Sequence, residues 1–317
     1  MLSRRALAVS LFAPFAACRR SAQRTIGVVP KAVSHLFFVS VHAGVEQAAR
    51  DFHVAALWNG PENETDYTRQ IEIVDSMVAR RVDALAISAT EERALAAPLE
   101  RAIHAGIPVT VFDSAAAIDN YVSFIATDNY GAGGTAARTL AGLVGGKGDV
   151  GMVMQKPGGT STVLRERAFE DTLAKQFPNV RIVARQYGMA DAARSRAAAE
   201  NILTAHPDLA GMFASSEAAS IGSIQALRSR NLAGKVKLVT FDFSQTHIEA
   251  LSDGTVDVML VQDPYRIGYE AVKSLAVKLA GQTPPRRQDL PVRSITKTDL
   301  AKPEIRALLS PEWMKSR

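Results

Sequence analysis

The chain has 317 residues, of which 47% are hydrophobic and 22% are charged, and its formal net charge is +5. This length allows two domains of ordinary size with sizeable cores, and the composition leaves little room for extended disorder. The basic residues are scattered and no aromatic residues interleave them, which argues against a nucleic-acid-binding surface. We therefore expect a folded, two-lobed protein that does not bind nucleic acid.

The amino terminus has the layout of an export signal. Arg4 and Arg5 precede the apolar run 6–17, which is too short to span a bilayer as a stable helix, so residues 1–17 are predicted to be a signal peptide. Cys18 follows directly, is the only cysteine, and lies in a context that resembles a bacterial lipoprotein processing site. We expect a protein of the periplasm or cell envelope, lipid-anchored at Cys18 and in contact with a membrane only through this anchor. The alternative is that Cys18 merely lies near an ordinary cleavage site.

The first predicted elements are a strand and a helix joined by a loop. Ile26, Val28 and Val29 form an apolar run, Pro30 ends it, and apolar residues then recur at helical spacing from Phe38 to Phe52. Strands separated by helices of this length indicate a parallel sheet with helices on both faces. The next predicted elements are a strand at 54–58, a helix at 64–81, a strand at 82–88, a helix at 94–105, and strands at 109–112 and 121–126.

The same alternation then starts again and predicts a second lobe. The fold class is therefore α/β, with two doubly wound parallel-sheet lobes, and the cleft between them is the natural ligand site. Because ligands bind at the carboxyl ends of parallel strands, Lys31, His35, Phe37 and Phe38 should lie at this cleft. The later predicted helices are 130–144, 163–177, 192–205, 221–230, 245–252 and 264–279, and the later strands are 149–154, 180–186, 211–214, 236–241, 256–261 and 292–297.

One glycine-rich segment resembles a dinucleotide-binding fingerprint. Residues 131–136 read Gly-Ala-Gly-Gly-Thr-Ala at the head of a helix. A dinucleotide site also needs an acidic residue at the end of the next strand, whereas Asp149 precedes that strand. Small residues that let the helix approach the sheet explain the segment better, and we expect no cofactor.

Catalytic and metal-binding signatures are absent from the sequence. It contains no G-x-S-x-G elbow, no P-loop, no H-E-x-x-H and no second cysteine. His35 is the only histidine in a predicted cleft loop, and its alternative interpretation is an ordinary solvated loop residue. We expect neither an enzyme nor a metal-binding protein.

The cleft residues suit a sugar. Phe37 and Phe38 are adjacent on a helix and point about 100° apart, so one is expected in the core while the other can face the cleft. An aromatic ring packs on the C–H face of a sugar, while the sugar hydroxyls seek charged, bidentate partners.

Five segments resemble the periplasmic sugar-binding proteins of the ribose type, in order and with similar spacing over residues 25–297. They are the pair Phe37-Phe38, the strand end Val-Thr-Val-Phe-Asp-Ser finishing at Ser114, Gly158-Gly159-Thr160-Ser161 with Arg165-Glu166-Arg167, Thr240-Phe241-Asp242, and Val261-Gln262-Asp263-Pro264.

The resemblance implies roles for individual residues. Asp113, Arg165, Asp242 and Gln262 would bond sugar hydroxyls, and Phe37 and Phe38 would flank the ring. It also implies three hinge crossings, near 127–128, 262–263 and 291–292. One lobe would then comprise 25–127 plus 263–291, and the other 128–262 plus 292–317.

The sequence departs from the ribose-type pattern at five candidate ligand-binding positions. Lys31 and His35 stand where ribose binders carry a small polar residue and an asparagine. Ser114 replaces an arginine, Ala190 a stacking aromatic residue and Ser216 an asparagine. The changed donors and the lost aromatic face predict a monosaccharide or polyol other than ribose, with a sugar acid as the open alternative.

The resemblance further implies a function and a partner. We expect a monomeric receptor that delivers its sugar to the inner-membrane permease of an ABC importer. The alternative is a periplasmic sensor that presents the bound sugar to a signalling receptor. A transcription-regulator effector domain is disfavoured because a signal peptide occupies the place of a DNA-binding helix-turn-helix.

Overall fold

The computed structural model describes residues 23–309, and the expected signal peptide and Cys18 lie outside them. The described chain begins by alternating strands and helices, as the sequence predicts. The first run consists of β1 (Thr25–Val29), α1 (Leu36–Asp51), β2 (Ala55–Trp58), α2 (Tyr67–Ala79), β3 (Ala84–Ile87), α3 (Ala96–His104), β4 (Val109–Phe112) and β5 (Phe124–Thr127).

A second run repeats this alternation. Its inner strands β8 and β10 are buried along their whole length, as expected for parallel strands covered on both faces. The run consists of α4 (Asn129–Leu143), β6 (Gly148–Met154), α5 (Thr160–Gln176), β7 (Val180–Tyr187), α6 (Ala192–Ala205), β8 (Gly211–Ala214), α7 (Glu217–Ser229), β9 (Lys237–Phe241), α8 (Gln245–Asp253), β10 (Val258–Val261) and α9 (Pro264–Leu279).

The last elements complete two six-stranded sheets. They are β11 (Arg287–Leu290), β12 (Arg293–Ile295), a 3-10 helix (Lys297–Ala301) and α10 (Pro303–Leu309). The first sheet has the order β11-β5-β4-β3-β1-β2 and the second β12-β10-β9-β8-β6-β7. All pairs are parallel except β10 with β12, which is antiparallel. The predicted α/β class with two doubly wound lobes is confirmed.

The chain passes between the sheets after β5, after β10 and after β11. Helix α9 follows β10 of the second sheet but packs against α1 of the first lobe. This packing needs glycine, because a Cβ on Gly44 would lie 1.9 Å from the carbonyl oxygen of Tyr265, and one on Gly268 would lie 2.1 Å from that of Val41. The expected hinge positions and lobe boundaries remain a prediction.

The sequence pattern predicted no element between the helix at 264–279 and the strand at 292–297, and so missed strand β11. Its residues Arg287, Gln288 and Asp289 carry no apolar alternation. They pair with β5 at the sheet edge, where backbone hydrogen bonds suffice and a continuous apolar run is not needed.

Several helix starts differ from the predicted positions, and the shifts of α2 and α7 matter for the cleft. Helix α2 begins at Tyr67 rather than at 64, because the Asp66 side chain caps it by accepting from the N–H of Arg69 at 2.9 Å. Glu64 therefore stays in the preceding loop. Helix α7 begins four residues earlier than predicted, because Ser216 caps it, and this places Glu217 in its first turn.

Ala132 and Ala136 of the glycine-rich segment pack in the core against the second sheet, as expected, while Gly133 also brings α4 close to α5. A Cβ on Gly133 would lie 2.0 Å from the carbonyl oxygen of Arg165. The segment thus helps to place α5, the helix that carries Arg165, and its glycine has a packing role. None of the helices within residues 23–309 is long and apolar enough to cross a membrane.

Candidate functional site

A small, polar cavity lies between the carboxyl ends of the two sheets. Most of the candidate residues line it: Lys31, His35, Phe37, Phe38, Asp113, Arg165, Ser216, Asp242 and Gln262.

Lys31 follows β1 and lies in a cluster of acceptors. Its Nζ is 3.1 Å from Asp113 Oδ2 and 3.7 Å from Glu64 Oε2, and it donates a hydrogen bond to Ser161 Oγ of the opposite lobe at 3.1 Å. Burial lowers the pKa of Lys31, but the attraction of Asp113 and Glu64 outweighs it, so the pKa is raised. Lys31 is therefore a charged residue whose donors are engaged by the protein.

Glu64 is the counter-charge of this cluster and was not recognised from the sequence. Its Oε1 lies 3.4 Å from His35 Nδ1, and the Gln155 side chain also hydrogen-bonds to it. Burial alone would raise the pKa of Glu64, but Lys31 and His35 bring it well below its usual value. The pKa of His35 is raised because its hydrogen bond and attraction to Glu64 outweigh its burial.

Asp113 and Asp242 lie just beyond β4 and β9, one in each lobe. Both have left-handed backbone conformations, with φ of 56° and 69°. Such conformations are uncommon outside glycine and often mark functional positions. Asp113 Oδ2 accepts from Ser88 Oγ at 2.8 Å as well as from Lys31, while Asp242 Oδ1 accepts from Gln262 Nε2 at 2.6 Å.

Gln262 connects the second lobe to a chain crossing. Its Oε1 accepts from Thr127 Oγ1 at 2.6 Å, and Thr127 is the last residue of β5. Burial raises the pKa of Asp242, and the attraction of Arg165 and the Gln262 hydrogen bond offset this only in part. A ligand hydroxyl that donates to Asp242 would stabilise its charged form.

Arg165 is fully buried on α5. It donates to the carbonyl of Ser215 and, from Nη2 at 2.8 Å, to Asn129 Oδ1. Its guanidinium lies 3.3 Å from the ring centre of Phe241, and its Nε makes no hydrogen bond to any residue within 23–309. Burial lowers the pKa of Arg165. An oxygen-bearing ligand in the cavity would supply the acceptors that this side chain lacks.

Phe37 and Phe38 both line the cavity, whereas helix periodicity by itself placed only one of them there. Their ring centres are 5.0 Å apart and their planes are nearly perpendicular, at 85°. Both also belong to the core of the first lobe. The core thus holds the two rings in place at the cavity wall.

Two candidates lie outside the cavity lining. The Ser114 hydroxyl is in a hydrogen bond with Thr160 Oγ1, at 3.1 Å, and accepts from the N–H of Ser161, so it joins the lobes. Ala190 has a left-handed backbone after β7, and its N–H donates to the carbonyl of Gln155. Ala190 is therefore buried beside Gln155 and does not itself line the cavity.

The cavity also has polar lining residues that the sequence did not reveal: Glu64, Gln155, Ser161, Thr162 and Glu217. Gln155 was identifiable, because it directly follows β6 as Asp113 follows β4. Glu64 and Glu217 were not, because both were assigned to the wrong side of a helix start.

Gln70 supports the cavity from beneath. Its Nε2 donates to the carbonyls of Pro30 and Ser88, each at 2.8 Å, and its Oε1 accepts from the N–H of Thr90 at 2.9 Å. It is fully buried and its amide group is satisfied. It thus holds the ends of β1 and β3 at a set spacing beneath the cleft.

The lining chemistry is that of a binding site. In the part of the chain that the structure describes, no group of three or more His, Cys, Asp or Glu side chains is placed to hold a metal ion. The cavity offers buried carboxylates, two amides, an ammonium group, a guanidinium and two aromatic rings.

Known proteins share this fold and sequence pattern. The sequence model of a protein family described as a periplasmic binding protein domain matches residues 26–283. A D-ribose/D-allose-binding protein of Pseudomonas aeruginosa is 28% identical over 272 residues, which cover 83% of this chain and 85% of that protein. The ribose import binding protein of Bacillus subtilis is 27% identical over 251 residues, which cover 79% of this chain and 80% of that protein.

Two solved structures of sugar-binding proteins have closely similar folds. A carbohydrate transporter solute-binding protein of Agrobacterium radiobacter, in complex with D-arabinose, has a TM-score of 0.88 and 31% identity, over 92% of this chain and 100% of that chain. An ABC transporter solute-binding protein of Agrobacterium vitis, bound to α-D-tagatopyranose, has the same TM-score at 28% identity, with the same coverage of both chains. These relatives are named as binding proteins rather than enzymes, as we expected for this chain.

Proposed function

The chain belongs to the periplasmic binding protein family, as its resemblance to the ribose type predicted, and we propose that it captures a monosaccharide or polyol in the cleft. The observation that carries this proposal is the set of buried hydrogen-bonding groups around one cavity, Asp113, Arg165, Asp242 and Gln262, beside two aromatic rings. Arg165 in particular has a buried donor, its Nε, that finds no acceptor among residues 23–309. Hydroxyl groups both donate and accept, so one sugar can satisfy carboxylates and a guanidinium together.

The charges of the cavity favour a neutral ligand over a sugar acid. The lining cations Lys31, Arg165 and, when it is protonated, His35 face four carboxylates, since Glu64 and Glu217 join Asp113 and Asp242. A further carboxylate from the ligand would enter an environment that already has an excess of acidic groups. We therefore favour a sugar or polyol over the anionic alternative.

We propose a ligand other than ribose. The cavity wall has no aromatic residue at the Ala190 position, and Lys31 and His35 are engaged with Glu64. Hydroxyl recognition would then fall mainly to Asp113, Arg165, Asp242 and Gln262 rather than to the first loop.

A ligand panel tests this function. Thermal shift measurements would cover D-ribose, D-arabinose, D-tagatose, D-allose, ribitol, D-galacturonate and several amino acids, and calorimetry would follow for each ligand that stabilises the protein. We expect stabilisation by at least one neutral sugar or polyol, since binding to the folded state alone raises the melting temperature. Tight ribose binding, or stabilisation only by amino acids, would contradict the proposal.

Delivery to an inner-membrane ABC permease would follow capture. We propose that the lobes, 25–127 plus 263–291 and 128–262 plus 292–317, rotate about the three chain crossings, and that the closed monomer presents both lobes to the permease. Small-angle scattering should show a smaller radius of gyration with ligand. Sugar transport into vesicles that contain the partner ABC permease should require this protein. Ligand-dependent activation of a receptor kinase without transport would favour the sensor alternative.

Export and acylation of Cys18 belong to the same proposal. They are supported by the Arg4-Arg5 pair, the apolar run 6–17 and the single cysteine. Palmitate should label the wild type and not Cys18→Ser, with equal sugar affinity in both. An unlabelled wild-type protein, fully soluble in the periplasm, would contradict the anchor.

A further inference from the structure

The first turn of α1 lacks a cap from its own segment. Its N-cap residue is His35, whose side chain makes no capping hydrogen bond, and the turn contains no acidic residue. The first N–H groups of a helix have no partners within the helix, and its N-terminus carries partial positive charge. Helix α1 therefore needs acceptors from elsewhere.

Glu217 supplies them from the other lobe. The Leu36 N–H donates to Glu217 Oε1 at 3.2 Å, and the Phe37 N–H donates to Oε2 at 3.1 Å. Glu217 opens α7, which packs on β6, β8 and β9 of the second sheet, whereas α1 packs on β2 and α9 beside the first. One carboxylate thus caps a helix across the cleft.

A second contact at the same point also crosses the cleft. The Leu36 side chain packs against the hydrophobic core of the second lobe and, with Phe243 and Ile248, lines a shallow groove there. Opening the cleft would therefore expose this apolar contact and leave the first turn of α1 without its carboxylate. Both costs fall on the open state alone.

We propose that Glu217 is a positioning residue that sets the open–closed equilibrium of the lobes and orients the Phe37 ring at the cavity. The inference rests on the proposed function, because closure must accompany sugar capture. When only the closed state binds tightly, the apparent affinity scales with the closed population. Loss of the cap should then weaken all ligands by a common factor.

The discriminating variants are Glu217→Ala and, as a control, Asp191→Ala. The Asp191 side chain caps α6 by accepting from the N–H of Arg194 at 2.7 Å, within its own lobe. Both changes remove one helix cap, but only the first removes an interlobe contact. Calorimetry with D-arabinose, D-allose and D-tagatose would be combined with scattering of the sugar-free and sugar-saturated full chain.

We expect Glu217→Ala to raise the Kd of every sugar that binds by about the same factor, roughly tenfold, as loss of a cap's stabilisation implies. Asp191→Ala should leave Kd within twofold. An unchanged Kd in folded Glu217→Ala, or a loss confined to one sugar, would overturn the inference, the latter because Glu217 would then be reading a hydroxyl.

The failure of the proposed function is distinguishable from the failure of this inference. If no sugar binds the wild type, the function fails, and the radius of gyration of the sugar-free protein decides the role of Glu217. A larger radius in Glu217→Ala than in the wild type and Asp191→Ala supports the interlobe cap. Equal radii in all three proteins contradict it.

Discussion

The two buried cations of the cleft, Lys31 in the first lobe and Arg165 in the second, have opposite surroundings. Lys31 has two carboxylates within 3.7 Å and a hydroxyl acceptor at 3.1 Å. Arg165 donates to a carbonyl and an amide oxygen, both neutral, and its Nε donor is unused by residues 23–309. The pKa of Lys31 is raised and that of Arg165 is lowered.

The difference separates two roles that the sequence could not distinguish. A buried cation whose charge and donors are matched by the protein stabilises structure, while one with unused donors gains most from a ligand. We infer that Lys31 ties the first lobe to Ser161 of the second and that Arg165 binds the ligand. The predictions below test this assignment.

The largest effect is expected at Arg165. Arg165→Met keeps the length and apolar stem of the side chain but removes its charge-assisted hydrogen bonds, and sugar affinity should fall at least 100-fold, about 3 kcal/mol. Calorimetry with the tightest sugar of the panel would measure it. Arg167→Met on the exposed face of the same helix is the control and should bind normally. A folded Arg165→Met protein that binds within threefold of wild type would remove Arg165 from the ligand site.

Lys31 should show its effect in stability. Lys31→Met leaves Glu64 and Asp113 buried without their cation, and the free energy of unfolding should fall by about 3 kcal/mol. Adding Glu64→Gln removes one stranded charge and should recover part of that loss. Urea denaturation of the two single variants and the double variant gives the coupling energy. Strictly additive losses would show that the Lys31–Glu64 pair has no energetic coupling.

Glu166, the residue after Arg165, predicts a pH dependence of the stability of the fold. Burial raises the pKa of Glu166 to about 7, although hydrogen bonds from Ser215 and from the Gln155 N–H partly oppose this. The folded chain therefore keeps a proton that the unfolded chain loses near pH 4.5, so this group's contribution to stability declines as pH rises from about 4.5 to 7.

Glu166→Gln cannot ionise and should escape this decline. Its stability relative to wild type should increase by about 2 kcal/mol between pH 5 and pH 8. Urea denaturation at several pH values measures the difference, and Glu170→Gln, on the same helix and half-exposed, is the control. A pH-independent difference between Glu166→Gln and wild type would mean that Glu166 is already ionised at pH 5.

The smallest effect concerns ligand charge. Glu64→Gln removes the counter-charge of Lys31, so the affinity for D-galacturonate relative to the best neutral sugar should increase about tenfold, or 1.4 kcal/mol. Glu62→Gln, an exposed acid in the same loop, should leave the ratio unchanged. If the ratio is also unchanged in Glu64→Gln, then Lys31 is neutralised by Asp113 alone.

Much of the cleft could be predicted because it is built from strand ends. A short apolar run followed by a polar residue marks where a strand stops. The resemblance to the ribose-type proteins pointed to Asp113, Asp242 and Gln262, which follow such runs, and all three line the cavity. The parallel sheets then bring strand ends together even when they are far apart in sequence. The strands and most helices followed for the same reason, since apolar periodicity is a local signal.

The sequence by itself determined the two-lobed α/β fold, the edge of each sheet that forms the cleft and the aromatic pair at that edge, and its resemblance to a known family pointed to the carboxylates Asp113 and Asp242. Only the tertiary structure decided which partners satisfy each side chain. In the folded chain Ser114 hydrogen-bonds to Thr160, and Ala190 lies outside the cavity lining. Glu64 lies beside Lys31, and Glu217 accepts hydrogen bonds from the first turn of α1. The physical reason is that periodicity reports the backbone state over a few residues. The hydrogen-bond partners of a buried charge, in contrast, depend on groups that approach only when two lobes pack together.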